Sequence, residues 1–450
     1  MKWIYNFTKS FLKIDRDIFQ TLVYRGWTTV SGVLMLVTIP YWLSPTEQGF
    51  FYLFYSIIGL QVFFELGLNQ IVMHRLSASF GKLYLADNAL LIGSQLDLGE
   101  FQNIVKSTKI WYRNIAFWFY MVSLLLGSYF LINSEEQGAH DALPILAILL
   151  VFVALNIKFS IELTARQATS RVAEVAKLRT IQSIIGYAIL LSLVFGLDAG
   201  LMAIWSLSFT SCFCTYVWLR KTKYRYSVEP INLNPVKWKA DYFPLQWRLS
   251  FSWISGYLVS QFLILYVFEE YGSVKAGEYG ITMSVFSSIL ALGLAICVAK
   301  IPEVATLLSL GSNKMAFTLF RKLLIKALVL VITISATFIA VVMYFYSDLT
   351  FITERMLGPK LLVLFALVTI ANTLIMAIAA YLRAHDREPV LRLSVTLAVL
   401  VVLNLALSTG ESLEFVMVIH TLIHVFVGIP WILWLLNSQF KSYGFRDSPS

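Results

Sequence analysis

Residues 18–73 read IFQTLVYRGWTTVSGVLMLVTIPYWLSPTEQGFFYLFYSIIGLQVFFELGLNQIVM, and this stretch decides the fold. It holds two apolar runs, Ile18–Trp42 and Phe50–Val72, joined by the short turn Leu43–Gly49. An apolar run of about 20 residues crosses the hydrocarbon of a bilayer, at about 1.5 Å of rise per residue. Each run carries one charge, Arg25 in the first and Glu65 in the second. In an antiparallel hairpin, each charge lies seven residues inside the same end of its run. Both then sit about 10 Å below one membrane face. A charge at that depth costs several kcal/mol unless it is paired or faces a polar cavity, so the matched depths predict partners.

The remaining composition agrees with a chain surrounded by lipid. Hydrophobic residues make up 58% and charged residues 14% of the 450 positions. Mean hydropathy is +0.73. A soluble chain would carry about a quarter charged residues. Twelve apolar runs of spanning length fall near 18–42, 50–72, 113–133, 142–164, 178–197, 200–219, 248–268, 279–299, 323–346, 359–382, 390–408 and 413–437. Loop charge tests that count. Of the 35 Lys and Arg, all but four fall at one face; Lys275, Arg355 and Lys360 lie at the other, and Arg25 lies within a run. Positive loops mark the cytoplasmic side, so both termini are expected there. The opposite loops are short and acidic, with Glu47, Glu135, Glu136, Asp141, Glu269 and Glu270 among them. The net charge of +9 is this loop excess, which favours anionic lipid headgroups and gives no reason to expect nucleic acid. Cys212, Cys214 and Cys297 all fall within predicted helices and supply neither a disulfide framework nor a zinc spacing.

Between the runs, the chain shows its organisation. Residues 1–17 place Trp3, Ile4, Phe7, Phe11 and Ile14 at helical spacing with Lys2, Lys9 and Lys13 between them, predicting an interfacial amphipathic helix. No cleavable signal is expected, because Met1–Asp17 lacks an apolar core. His74–Arg113 reads as one or two amphipathic cytoplasmic helices. Residues 220–247, broken by Pro230, Pro235 and Pro244, read as a cytoplasmic linker between bundles at 18–219 and 248–437, with a tail at 438–450. The bundles share a pattern. Arg25 precedes Ser31 and Gly32 as Arg248 precedes Ser255 and Gly256; Glu47-Gln-Gly49 leads to Ser56 as Glu278-Tyr-Gly280 leads to Ser287. Six helices per half make this a parallel repeat about an axis along the membrane normal. The expected fold is all-α: twelve transmembrane helices in two six-helix bundles, V-shaped around a central cavity.

Local segments resemble the polysaccharide and O-antigen flippases of the multidrug/oligosaccharidyl-lipid/polysaccharide exporter superfamily. These are the turn Leu43–Gly49 leading into Phe50–Ser56, Glu65-Leu-Gly67-Leu followed by His74-Arg75, Leu357-Gly-Pro359, and Tyr381-Leu-Arg-Ala-His-Asp-Arg387. Position 65 carries Glu where that family more often has Asp. The resemblance implies a non-enzymatic flippase of the bacterial inner membrane. Its cargo would be an undecaprenyl-pyrophosphate-linked oligosaccharide, moved by alternating access without a cofactor. Implied partners are membrane lipids, a polysaccharide polymerase, a chain-length regulator, and a proton or sodium ion.

A diphosphate crossing hydrocarbon must be sheltered by cations, and Arg suits it because its planar fork donates two parallel charge-assisted hydrogen bonds. Arg25, Arg248 and Lys158 are the candidate diphosphate ligands, and Glu65 the candidate coupling group or counter-ion. Each has a plainer reading. Arg248 sits where arginines snorkel to headgroups, Glu65 pairs structurally with Arg25, and Lys158, Glu162 and Arg166 form an i, i+4, i+8 ladder. His420 and His424 are four apart on one helix, but no third ligand is nearby, so polar packing or cavity lining is expected rather than a metal. Asn69, Gln70, Gln182, Gln261, Asn372 and Asn404 are further polar residues within spans, as helix glue or as sugar ligands. Two other functions compete. A proton- or sodium-coupled drug or metabolite exporter would want spare carboxylates at depth. A membrane polymerase or ligase would want a large outer loop, and the outer loops here are short.

Overall fold

The computed structural model of the chain describes residues 16–86, 90–229, 231, 236–345, 353–384 and 390–442. Most of the expected interfacial helix and tail, and His385–Arg387 of the late motif, lie outside them. The first turn shows how the sequence sets its helices. Helix α1 (Arg16–Trp42) ends at Ser44-Pro-Thr-Glu47, and α2 (Pro45–Gly59) starts there. Ser44 N–H donates to Glu47 Oε2 at 2.9 Å, while Glu47 N–H donates to Ser44 Oγ at 3.2 Å. This reciprocal cap, with Pro45 at the first helical position, satisfies two of the N–H donors that a helix start leaves without intrahelical partners.

Past α2 the second span is broken. Short α3 (Gln61–Glu65) and α4 (Leu68–Phe80) meet at Leu66 and Gly67, whose φ angles are 48° and 70°. The two halves bend by 48°. A left-handed Leu is costly, and a broken helix in lipid needs its freed carbonyls satisfied. Helix α10 (Phe243–Ser260) supplies the donors: Gln246 Nε2 to the Glu65 carbonyl at 3.3 Å and Ser250 Oγ to the Leu66 carbonyl at 3.4 Å.

The next helices are α5 (Gln95–Asn133), α6 (Ala139–Ala168), α7 (Val172–Leu197) and α8 (Trp205–Lys221), then the single turn α9 (Trp238–Asp241) before α10. After α10 come α11 (Phe262–Val298), α12 (Ile301–Ser309), α13 (Asn313–Tyr344), α14 (Pro359–Arg383), α15 (Leu391–Leu407), α16 (Leu413–Leu422), a π-helical turn at Ile423–Gly428, and α17 (Ile429–Ser442). Among the described residues nine helical stretches are long and apolar enough to cross a membrane, and the bent α2–α4 pair makes ten. One of them, Leu249–Ser309, runs for 61 residues. That is about 90 Å of helix against about 30 Å of hydrocarbon, so it holds two spans. Its helical path breaks at Gly272, with φ 83° and ψ 175°, between the expected seventh and eighth runs. Helix α15, with 17 residues, corresponds to the eleventh run.

The chain divides into two compact units: Met1–Val37 with Ile57–Trp253, and Thr38–Ser56 with Ile254–Ser450. In the second unit the two repeated turns pack together. Gly49 lies against the backbone of Ser273, and Gly280 against the ring of Tyr52, so closely that a Cβ at either would collide. Nearby, Ser56 Oγ donates to the Gln261 carbonyl at 2.7 Å, satisfying a group freed where α10 passes into α11.

One expectation needs correction. His74–Arg113 is not solely helical: β1 (Tyr84–Ala86) and β2 (Leu90–Ile92) pair antiparallel, and β2 pairs parallel with β3 (Arg225–Tyr226) from the linker. Helix α5 begins only at Gln95, capped by Ser94, whose Oγ accepts from Asp97 N–H. The linker then follows α5, with Ile231 N–H donating to the Gln95 carbonyl at 3.4 Å and Val236 N–H to Ser107 Oγ at 3.3 Å.

Candidate functional site

The first unit holds an open cavity of about 440 Å³ between α1, α6, α7 and α8. Its walls come from one face of each helix. Tyr24, Thr28 and Ser31 face it from α1, and Arg179, Gln182, Ser183 and Tyr187 from α7. Those α7 positions stand at i, i+3, i+4 and i+8, the spacing that keeps side chains on one helical face. Asn156 and Ser160 from α6, and Ser211 and Thr215 from α8, complete the polar lining, with Phe159 beside them.

Hydrogen bonds hold this lining in place. Gln182 Nε2 donates to Thr215 Oγ1 at 2.6 Å and to the Ser211 carbonyl at 3.1 Å. Ser211 Oγ donates to Asn156 Oδ1 at 3.1 Å, and Asn156 Nδ2 to the Ser208 carbonyl at 3.0 Å. On the other side Trp27 Nε1 donates to Ser183 Oγ at 2.8 Å, its ring edge-on to Tyr187 with centroids 6.2 Å apart. Amides, hydroxyls and aromatic faces are thus fixed around one space. The only charged residue in this lining, among the described residues, is half-buried Arg179, and no carboxylate faces it. A second space of about 360 Å³ shares Asn156, Leu207 and Ser211 with the first and reaches Gln61.

The sequence-derived candidates fall mostly elsewhere. Arg25 is exposed on α1, one position around from Tyr24, and does not line the cavity. Its expected partner Glu65 instead accepts from Gln61 Nε2 at 2.8 Å, and no Arg25–Glu65 ion pair forms among the described residues. Glu65 therefore meets the cavity system through Gln61. Lys158 is exposed. The expected ladder changes one member: Glu162 pairs with Arg166 at 3.6 Å, and with Lys109 of α5 at 3.1 Å rather than with Lys158. Arg248 lies on α10, and its side chain is outside the described residues. Arg179, second in the expected fifth run, is not among the sequence-derived candidates. The stripe Arg179, Gln182, Ser183, Tyr187 was the available signal.

Arg166 locks the C-terminal end of α6. It is 2% exposed and lies over the rings of Trp218 and Tyr224, at 5.4 and 5.1 Å. It donates from Nη2 to the Thr222 carbonyl at 3.0 Å and from Nη1 to the Glu162 carbonyl at 2.9 Å. Burial pushes the Tyr224 hydroxyl above its ordinary titration range, opposed by its hydrogen bond with Thr169. Nearby, Thr164 Oγ1 donates to Asn69 Oδ1, tying α6 to α4 as helix glue.

No family model matches this chain, and no curated protein matches it. Solved structures do. An inward-facing multidrug resistance MATE family transporter of the MOP superfamily aligns with TM-score 0.67 and 13% identity, over 90% of this chain and 95% of that one. An outward-facing MATE family transporter aligns with TM-score 0.54 and 14% identity, over 95% and 97%. A MOP superfamily transporter from Pyrococcus furiosus Vc1 (DSM3638), described as having a binding pocket of reversed polarity that suggests a different function, aligns with TM-score 0.53 and 14% identity, over 94% and 96%. At these identities the likeness concerns architecture. The chain has the multi-pass membrane fold of MATE transporters of the MOP superfamily.

Proposed function

We propose that this protein is a non-enzymatic flippase that moves an undecaprenyl-pyrophosphate-linked oligosaccharide across a bacterial inner membrane by alternating access. The observation that carries this reading is the make-up of the cavity lining: among the described residues one arginine and no carboxylate, in a wall of amides, hydroxyls and aromatic rings with Leu163 and Leu207 between them. Arginine offers a diphosphate paired charge-assisted donors. Amides and hydroxyls suit sugar hydroxyls, and Tyr24, Phe159 and Tyr187 offer flat apolar faces for sugar rings. A cationic drug would find no counter-charge there. In this reading Arg179 takes the anionic head inside the cavity. Arg25, a full charge within an apolar run, meets it on approach, together with Arg248 and Lys158. Glu65 adjusts the Gln61 side of the adjoining space. The reading includes the six-plus-six repeat, 18–219 and 248–437, and cytoplasmic termini.

The fold itself favours a second reading, since multidrug resistance MATE transporters share it. Binding to the purified protein separates the two. Undecaprenyl pyrophosphate should displace a fluorescent polyprenyl-diphosphate probe and ethidium should not. Tight ethidium binding with no diphosphate binding would replace the flippase by the drug exporter.

A further inference from the structure

Two titratable rings in the second unit are buried without any task in the account above. His420 lies in the last turn of α16 and His424 in the π-helical turn Ile423–Gly428. They are 4% and 0% exposed, with ring centroids 4.5 Å apart. His424 Nδ1 is 2.9 Å from the His420 carbonyl oxygen. A carbonyl only accepts, so this nitrogen carries the hydrogen and Nε2 of the neutral ring is a bare acceptor. Among the described residues that Nε2 has no hydrogen-bond partner, and neither has Nδ1 of His420. Orphaned buried nitrogens are uncommon and call for a reason. The π turn beneath them adds a residue to the helix at a cost, and such turns concentrate at functional positions.

Helices α14, α15 and α17 pack against this segment. Their charged residues are Lys360 and Arg383 on α14, Arg392 on α15 and Lys441 on α17, all near helix ends, and the Lys441 side chain lies outside the described residues. On α16 itself Glu414 pairs with Lys360 at 3.7 Å. Glu270 accepts from Gly410 N–H at 2.6 Å in the turn before α16. Tyr381 of α14 is stacked on Phe320, with centroids 4.4 Å apart. None of these forms a hydrogen bond or ion pair with either imidazole among the described residues. A proton on the pair would therefore be a buried charge without a counter-ion, an expensive state.

We propose that His420 and His424 form a one-proton site of the second unit, empty in the packed arrangement and filled when the π turn opens to water. The proton passes from hydronium to a bare ring nitrogen, leaving water behind. At a centroid separation of 4.5 Å two imidazolium charges repel, so the pair takes one proton in total. Opening and protonation are then linked: acid favours the opened turn. The proposal rests on the transporter reading, to which it adds this pair as a proton carrier of the second unit.

The test uses the full-length protein in lipid nanodiscs without cargo. Amide exchange across residues 413–428 is followed at pH 7.5 and 5.5, corrected for the intrinsic pH dependence of exchange. A site that binds one proton only when open, with an ordinary histidine value of about 6.5, raises the opening constant about tenfold over that interval. Wild type should show this rise, and His424→Gln and His420→Gln should lose it. Imidazole nitrogen resonances give a second measure, in a protein with His74, His140 and His385 each changed to Gln. In the packed form both rings should stay neutral across this interval, because uptake belongs to the opened turn alone. Wild-type exchange that ignores pH, an unchanged response in the Gln variants, or a charged ring in the packed form would each overturn the proposal. Because no cargo is present, those results would leave the cavity reading intact. An intact pH response without diphosphate binding would instead sink that reading alone.

Discussion

Arg179→Ala is the sharpest perturbation of the proposed cavity. Arg179 is half-buried on α7 and is, among the described residues, the one charge in a lining held by the Gln182–Thr215 and Asn156–Ser211 hydrogen bonds. A hydrogen bond to a charged group contributes about 1.5–3 kcal/mol. Partial exposure of Arg179 places its loss at the lower end, about 1.5–2 kcal/mol. That corresponds to about a 10- to 30-fold weaker affinity for a diphosphate lipid. Arg179→Lys keeps the charge but not the fork, so it should recover part of the affinity. Titration of undecaprenyl pyrophosphate into detergent-solubilised protein by calorimetry reads both effects. A non-phosphorylated polyprenol serves as the control, and its binding should not change. Unaltered diphosphate affinity in Arg179→Ala, with the protein still folded, would refute the cavity as the anion site.

Three other outcomes follow from packing. Arg166→Ala removes two ring contacts and the bonds to the Thr222 and Glu162 carbonyls, and should destabilise the first unit by about 3 kcal/mol. Arg166→Lys should recover little of this, and a lowered apparent melting temperature in detergent would register both. Gly49→Ala forces a methyl into the Ser273 backbone, which cannot step aside as a flexible side chain would, and should sharply reduce folded yield on size-exclusion chromatography. Gly67→Ala meets both a left-handed φ and the Leu249 side chain at 3.2 Å, so it should cost about 1–2 kcal/mol in the same melting assay.

The spans were legible because hydropathy is a local signal that packing seldom overrules, and the expected turn Leu43–Gly49 falls where α1 ends at Trp42 and α2 starts at Pro45. The repeated Glu-x-Gly motifs were legible too, although why each needs glycine emerged only when Gly49 met Ser273 and Gly280 met Tyr52. Non-local pairings were hidden. Strands of two or three residues carry almost no period, so pairing of Leu90–Ile92 with Arg225–Tyr226 could not be read. Equal depth suggested Arg25 with Glu65, but depth says nothing about rotation around a helix axis. Rotation turns Tyr24 and Thr28 into the cavity and Arg25 away from it. The same limit made Lys158 the expected partner of Glu162 where Lys109, on another helix, takes the place.

The most direct measurement is translocation itself. Purified protein is placed in liposomes whose inner leaflet carries a fluorescent undecaprenyl-diphosphate oligosaccharide, and arrival of the sugar outside is followed with a membrane-impermeant quencher. Arrival of the sugar outside should depend on the protein and be slowed by Arg179→Ala. Liposomes containing folded protein that move ethidium but leave the glycolipid on its original side would contradict it.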